Sequence, residues 1–141
     1  MNTVKSQISR HSVALISLII ALSSLAYNTW RNEQTEENRN VRAAGIELLL
    51  KLGELERVVF YSHYDRDNER GNPRSGWAYA LTIRDLASLT HEPAISSSTE
   101  LIANWQQNWS GLGSDDAAAS SISDSIDRAR NDVLAVLASL D

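Results

Sequence analysis

The chain has 141 residues, 13 Lys or Arg against 18 Asp or Glu, and a net charge of −5. It has no cysteine, which excludes disulfides, thiolate metal sites and cysteine nucleophiles. No basic cluster is present, which argues against nucleic acid as a partner and against tight docking on anionic lipid.

Residues 1–11 are a short tail with Lys5, Arg10 and no acid. Residues 12–30, SVALISLIIALSSLAYNTW, carry no charged side chain. At about 1.5 Å per residue a helix of that length covers roughly 28 Å, close to the ~30 Å hydrocarbon core of a bilayer. Val13, Leu15, Ile16, Leu18, Ile19, Ile20, Leu22 and Leu25 supply the apolar surface. Tyr27 and Trp30 close the end with rings that favour the headgroup level, and Arg31 follows. The stretch therefore predicts a transmembrane helix with the lipid bilayer as its first partner.

Other readings compete. In a cleaved signal peptide Lys5 and Arg10 would form the basic region and Ser24-Leu25-Ala26 the cleavage site. Against this, the apolar run is long for such a segment and the helical pattern continues past it. A buried core helix needs a larger domain than this chain can build. The Phe-Thr-Leu-x-Glu start of a type IV pilin stem is missing. Ala14, Ser17, Ala21, Ser24 and Asn28 recur at steps of 3, 4, 3 and 4, a spacing of small residues that lets two membrane helices approach closely and form a homodimer. The competing reading is unremarkable lipid-facing filler. Counting only Lys and Arg on the two flanks favours neither orientation, but an acid-free basic tail normally stays cytoplasmic. The expectation is an N-terminus inside and a domain outside, in the periplasm of a cell with an inner membrane.

Past residue 30 the chain holds all 18 acids and carries a net charge of −7. Residues 31–40, RNEQTEENRN, are wholly polar yet free of Gly and Pro, so the anchor helix is expected to continue through them as a stalk. Residues 41–64 form the next helix. Val41, Ala44, Leu48, Leu52, Leu55 and Val59 define one face. Ile46, Leu49, Leu50, Val58, Phe60 and Tyr61 widen it beyond half the girth, which marks a helix central to a bundle or shared with a partner. Gly45 and Gly53 each weaken it by about 1 kcal/mol relative to Ala, and close helix crossings at those points would account for both.

Residues 65–76, DRDNERGNPRSG, are the principal loop. Residues 77–90 read as a short helix with Ser75 as cap, followed by a turn around Pro93. A third helix over residues 97–112 is expected to start at Ser97 or Ser98, with Glu100 completing a capping box on Ser97. Its stripe is Leu101, Trp105, Trp109 and Leu112. Ser114 or Asp115 opens the last helix, residues 115–140. There Ala119, Ile122, Ile126, Ala129, Val133, Val136 and Leu140 repeat at alternating steps of 3 and 4, the seam of a bundle or coiled coil. The expected fold is all-α: a transmembrane helix continuing into a stalk, then a small antiparallel bundle of about four helices over residues 41–141.

No constellation points to catalysis. His63, Asp65, Asp67 and Glu69 alternate like cation ligands, but the calcium-loop positions for Gly and Glu fall on Arg70 and Gly76. Arg66, Arg70 and Arg74 would also neutralise the site, so a solvated loop of salt pairs is the plainer reading. His91-Glu92 lacks the second His of a zinc protease, and no serine is marked as a nucleophile. The Gly71–Gly76 stretch lacks the lysine of a phosphate loop. Asn108-Trp109-Ser110 matches a glycosylation sequon at a position expected to be helical. Trp77, Trp105 and Trp109 are either core filling or, together with Arg74, a binding surface, where Trp is enriched. No cofactor is implied.

The segments SLIIALSSLAYNTWRNEQTEENRNVRAAG, LGELERVVFYSHYD and GNPRSGWAY, under half the chain, are similar to uncharacterised single-pass inner-membrane proteins of Gram-negative bacteria. The resemblance implies a bacterial membrane protein and no activity. Three functions follow as expectations. The first is a non-catalytic scaffold or accessory subunit docking to another envelope protein. The second is a membrane-tethered sensor or ligand-binding bundle with the 65–76 loop and Trp77 at its mouth. The third is a small metal-dependent hydrolase using His63 with Asp65 or Asp67.

Overall fold

Without β-branched alternation or proline inside its apolar segments, this sequence has little access to anything but helix. The computed structural model describes residues 2–140, with side chains described from His11 onward. The basic side chains Lys5 and Arg10 lie outside that range. Among the described residues the regular structure is all helix, with no strand: α1 is Asn2–His63, α2 Pro73–Ala87, α3 Ala94–Asn108 and α4 Asp116–Ala138, with a 3₁₀ turn at Trp109–Gly111 between α3 and α4. The chain divides into two units, one ending at Glu37 and one beginning at Asn38.

The first unit is the N-terminal part of α1. Among the described residues one helix is long and apolar enough to cross a membrane, and its apolar window is wholly exposed within the protein. Val13, Leu15, Ile16, Leu18, Ile19, Ile20, Leu22 and Leu25 are each more than half exposed. Tyr27 and Trp30 stand with ring centroids 6.1 Å apart. The Thr29 and Thr35 hydroxyls donate to the carbonyls of Leu25 and Arg31, at 3.0 and 2.9 Å. That back-bonding satisfies each hydroxyl inside its own helix. Residues 31–40 are helical as expected.

In the second unit, α1 and α4 run in opposite directions, because partners on α4 fall in number as those on α1 rise. Arg42 donates to the Leu140 carbonyl at 2.6 Å, the Ser123 hydroxyl donates to Glu56 at 3.1 Å, and His63 Nε2 lies 3.2 Å from Asp116. Gly45 marks a close crossing, as its sequence position suggested: a Cβ there would lie 2.8 Å from Leu137. Gly53 marks none. A Cβ there meets nothing within 4 Å, which corrects that expectation. Antiparallel contact recurs between α3 and α4, where Glu100 meets Arg128 at 3.1 Å and Asn104 donates to Ser125 at 2.7 Å. The α4 seam is buried throughout, from Ala119 to Leu140. It packs with Leu48, Leu52, Leu55 and Val59 of α1, Ala80, Ile83 and Ala87 of α2, and Leu101 and Trp105 of α3. Burying each Leu or Ile fully contributes about 1.5–3 kcal/mol.

Helix starts differ from the sequence reading in two places. α2 begins four residues before Trp77, because Asn72 rather than Ser75 is the cap. The Asn72 side-chain oxygen accepts from the Arg74 amide at 3.0 Å, and Pro73 takes the first helical position, where its fixed φ and missing N–H cost nothing. α3 begins at Ala94, directly after Pro93. The Glu92 carboxylate accepts from the Ser96 amide at 3.1 Å, doing the work assigned to Ser97 or Ser98. Ser97 instead bonds back to the Pro93 carbonyl and Ser98 is fully buried, so the capping box with Glu100 does not form. Asp115 does cap α4, accepting from the amides of Ala117 and Ala118 at 2.9 and 3.4 Å. Its carboxylate also faces the positive end of the helix dipole.

Candidate functional site

The four alternating candidates at the end of α1 do not converge. His63 is nearly buried, with Nδ1 3.1 Å from the Leu112 carbonyl and Nε2 3.2 Å from Asp116. Nδ1 thus ties α1 to the turn before α4, and Nε2 ties it to the first residue of α4. Asp67 turns the other way. Its carboxylate accepts from the amides of Glu69 and Arg70, at 2.9 and 3.0 Å, and from Arg70 Nε at 2.7 Å. These bonds, with the Arg70 amide foremost, hold the carboxyl below the usual range and raise the Arg70 guanidinium in return. Asp65 is exposed and Glu69 is exposed. Among the described residues no group of three His, Asp or Glu is placed to hold a metal ion. Between them, Arg66 adopts φ = 52°, a left-handed conformation that places this turn and that strains a side chain with a Cβ.

The proposed tryptophan surface separates into core and surface. Trp105 is fully buried, which corrects its assignment to a binding surface. The cause lies on α2, where Gly76 leaves room for the indole ring; a Cβ at that position would collide with it. The Trp105 Nε1 hydrogen is buried without a partner among the described residues. Trp77 and Trp109 are half-buried and pack edge to face, 6.4 Å between centroids. Arg74 is exposed at the start of α2.

Two features emerge that the sequence reading did not separate. The first is a groove of about 180 Å³ between α1 and α2, lined by Glu54, Arg57, Val58, Tyr61, Arg70, Ser75 and Tyr79. Arg57 Nη1 holds both Glu54 oxygens at 3.2 Å. Arg70 lies over the Tyr61 ring at 4.3 Å. Trp77 is not part of this groove, and of the 65–76 loop only Arg70 and Ser75 contribute. The helical spacing of residues 54, 57, 58 and 61 was the one sequence signal available; the contribution of Tyr79 had none.

The second feature is the outer face of α1 together with Tyr64, the residue just past its end. Ile46, Leu50, Phe60 and Tyr64 are 52, 59, 49 and 70 % exposed, while Val58 is buried and Leu49 and Tyr61 are half-buried. The Phe60 and Tyr64 rings pack in a tilted arrangement with centroids 5.6 Å apart. Between α1 and α4, Glu56 is the one carboxylate whose pKa is pushed up, first by burial, then by the negative charge of Asp127, against the lowering effects of the Ser123 hydroxyl and Arg130. Its Oε2 is buried without a partner among the described residues.

Comparison with known proteins returns no match: no family model, no curated protein and no solved structure is similar to this chain.

Proposed function

We propose that this chain is a single-pass, membrane-anchored accessory subunit or scaffold of a bacterial inner membrane. In this reading its four helices close into an antiparallel bundle on the periplasmic side, and the bundle docks to another envelope protein without catalysing a reaction. The observation that carries the proposal is the exposed apolar stripe on α1. Ala43, Ile46, Leu50, Gly53, Arg57, Phe60 and Tyr64 follow steps of 3, 4, 3, 4, 3 and 4, the spacing that presents a continuous seam to a second helix. A large apolar stripe left open on a small domain marks an interaction surface. Arg57, paired with Glu54, interrupts the stripe, so the partner is an amphipathic helix with a polar residue at the matching level. Pairing of two anchors through Ala14, Ser17, Ala21 and Ser24 would present two such stripes in one assembly.

A photo-crosslinking side chain at Leu50 in native membranes tests the docking. The expected result is one adduct of defined mass that disappears when Phe60→Glu is added. Persistence of the adduct in Phe60→Glu, or crosslinking to lipid alone, overturns it. Replacing Ser17 and Ala21 with Leu tests the anchor separately and should abolish a crosslinked homodimer. A reporter fused after Asp141 reads the orientation.

A second reading, a tethered ligand-binding domain, draws support from the groove between α1 and α2.

A further inference from the structure

The groove between α1 and α2 is rich in hydrogen-bond donors and poor in acceptors. Its one carboxylate, Glu54, is already engaged by a single nitrogen of Arg57, which leaves the Nε and Nη2 donors of that guanidinium for other use. Arg70 is held in place twice, by Asp67 on its Nε at 2.7 Å and by the Tyr61 ring beneath it. Clamped through Nε, its fork is pre-organised and less freedom is lost when it binds an anion. Ser75 and Tyr79 bring two hydroxyls from α2 to the lining. Cations and hydroxyls from two helices and the intervening loop thus surround one small space.

We propose that this groove binds a phosphate group, with the Arg57 and Arg70 guanidinium groups as its cationic walls and the Ser75 and Tyr79 hydroxyls as further donors. Arginine forks match phosphate oxygens in pairs, and donors arriving from several directions suit a tetrahedral oxyanion better than a flat carboxylate. Size sets the second limit. At about 180 Å³ the groove is smaller than the ~300 Å³ at which sites begin to enclose a drug-sized molecule. It takes a phosphate head and leaves the rest of the ligand outside. Both arginines are 61 % exposed, so water screens them and the bare ion binds weakly. Glu54 opposes the ligand, both by its charge and by occupying Arg57. The same phosphate chemistry is offered by a soluble phosphate ester and by a phospholipid headgroup.

The test uses the full isotope-labelled chain in non-ionic micelles, with amide spectra recorded at constant ionic strength. One arm titrates inorganic phosphate against chloride; the other mixes phosphatidylglycerol into the micelles. Saturable shifts confined to residues 54–61 and 70–79 are expected. Shifts with inorganic phosphate identify a soluble ligand, and shifts with phosphatidylglycerol alone identify a headgroup. Arg57→Gln should weaken binding about tenfold, the value of one charge-assisted hydrogen bond. Tyr79→Phe should weaken it about threefold, as loss of a neutral hydrogen bond does. Glu54→Gln should tighten binding, an effect that a purely structural role for these residues would not produce. Absence of a saturable shift in both arms overturns the proposal, as does binding that Arg57→Gln and Glu54→Gln both leave unchanged in a protein whose remaining spectrum is intact.

Discussion

Two faces of α1 between residues 41 and 64 carry similar apolar side chains and meet opposite surroundings. The inner face, Val41, Leu48, Leu52, Leu55 and Val59, is almost wholly buried; the outer face, Ile46, Leu50, Phe60 and Tyr64, is about half exposed or more. Hydrophobicity alone therefore does not decide burial here. What decides it is which face finds the α4 seam, and the Gly45–Leu137 crossing together with the Arg42 and His63 bonds fixes that choice. The largest expected effect breaks the comparison directly. Leu52→Ala should lower unfolding stability by about 2–5 kcal/mol, because it empties a filled site, whereas Leu50→Ala should stay within about 0.5 kcal/mol, as exposed substitutions do. Chemical denaturation of the two variants measures both. Equal losses would mean that the outer face is packed as well.

The glycines sharpen the same contrast. Gly76 sits where α2 touches Trp105, and Gly53 faces open space. Gly76→Ala should cost about 1–3 kcal/mol, since the indole must leave its position in a packed core. Gly53→Ala should instead stabilise the protein by about 0.5–1 kcal/mol through helix propensity alone. Thermal melts of the two variants should move in opposite directions; a matching sign would show that the indole yields to a methyl group or that Gly53 is covered.

These contrasts mark how far the sequence could be read. The α4 seam was readable residue by residue, because seven positions at steps of 3 and 4 have only one helical face in common. The helical stalk was readable too, from the absence of breakers. The division of α1 into two faces was not, since both are apolar and only packing tells them apart. Trp105 was left between core and surface for a related reason: its pocket is made by Gly76, 29 positions earlier in the chain. The starts of α2 and α3 were misread because serine is a common cap, whereas here Asn72 and Glu92 reach the free amides first. The groove draws on two helices and a loop, and local periodicity carries no record of which loop residue folds over which helix face.

Glu56 supplies the smallest effect, because it is only partly buried. It lies on the side of α1 that meets α4, with one oxygen bonded to Ser123 and the other buried without a partner. Burial lifts its folded pKa above the ordinary value of 4.5. In the interval between the unfolded and folded values the native state therefore binds more protons than the unfolded chain. Stability falls as pH rises through that interval and recovers as pH drops. Above the interval the charged carboxylate is a net cost; below 4.5 the cost is gone. Glu56→Gln keeps an oxygen to accept from Ser123 and removes the charge, so it should raise stability near neutral pH and change it little in acid. The difference between wild type and variant, followed by denaturation from pH 4 to 7, should grow with pH. A gap that is flat, or that widens toward acid, would place the carboxylate in water with the outer face instead of against α4.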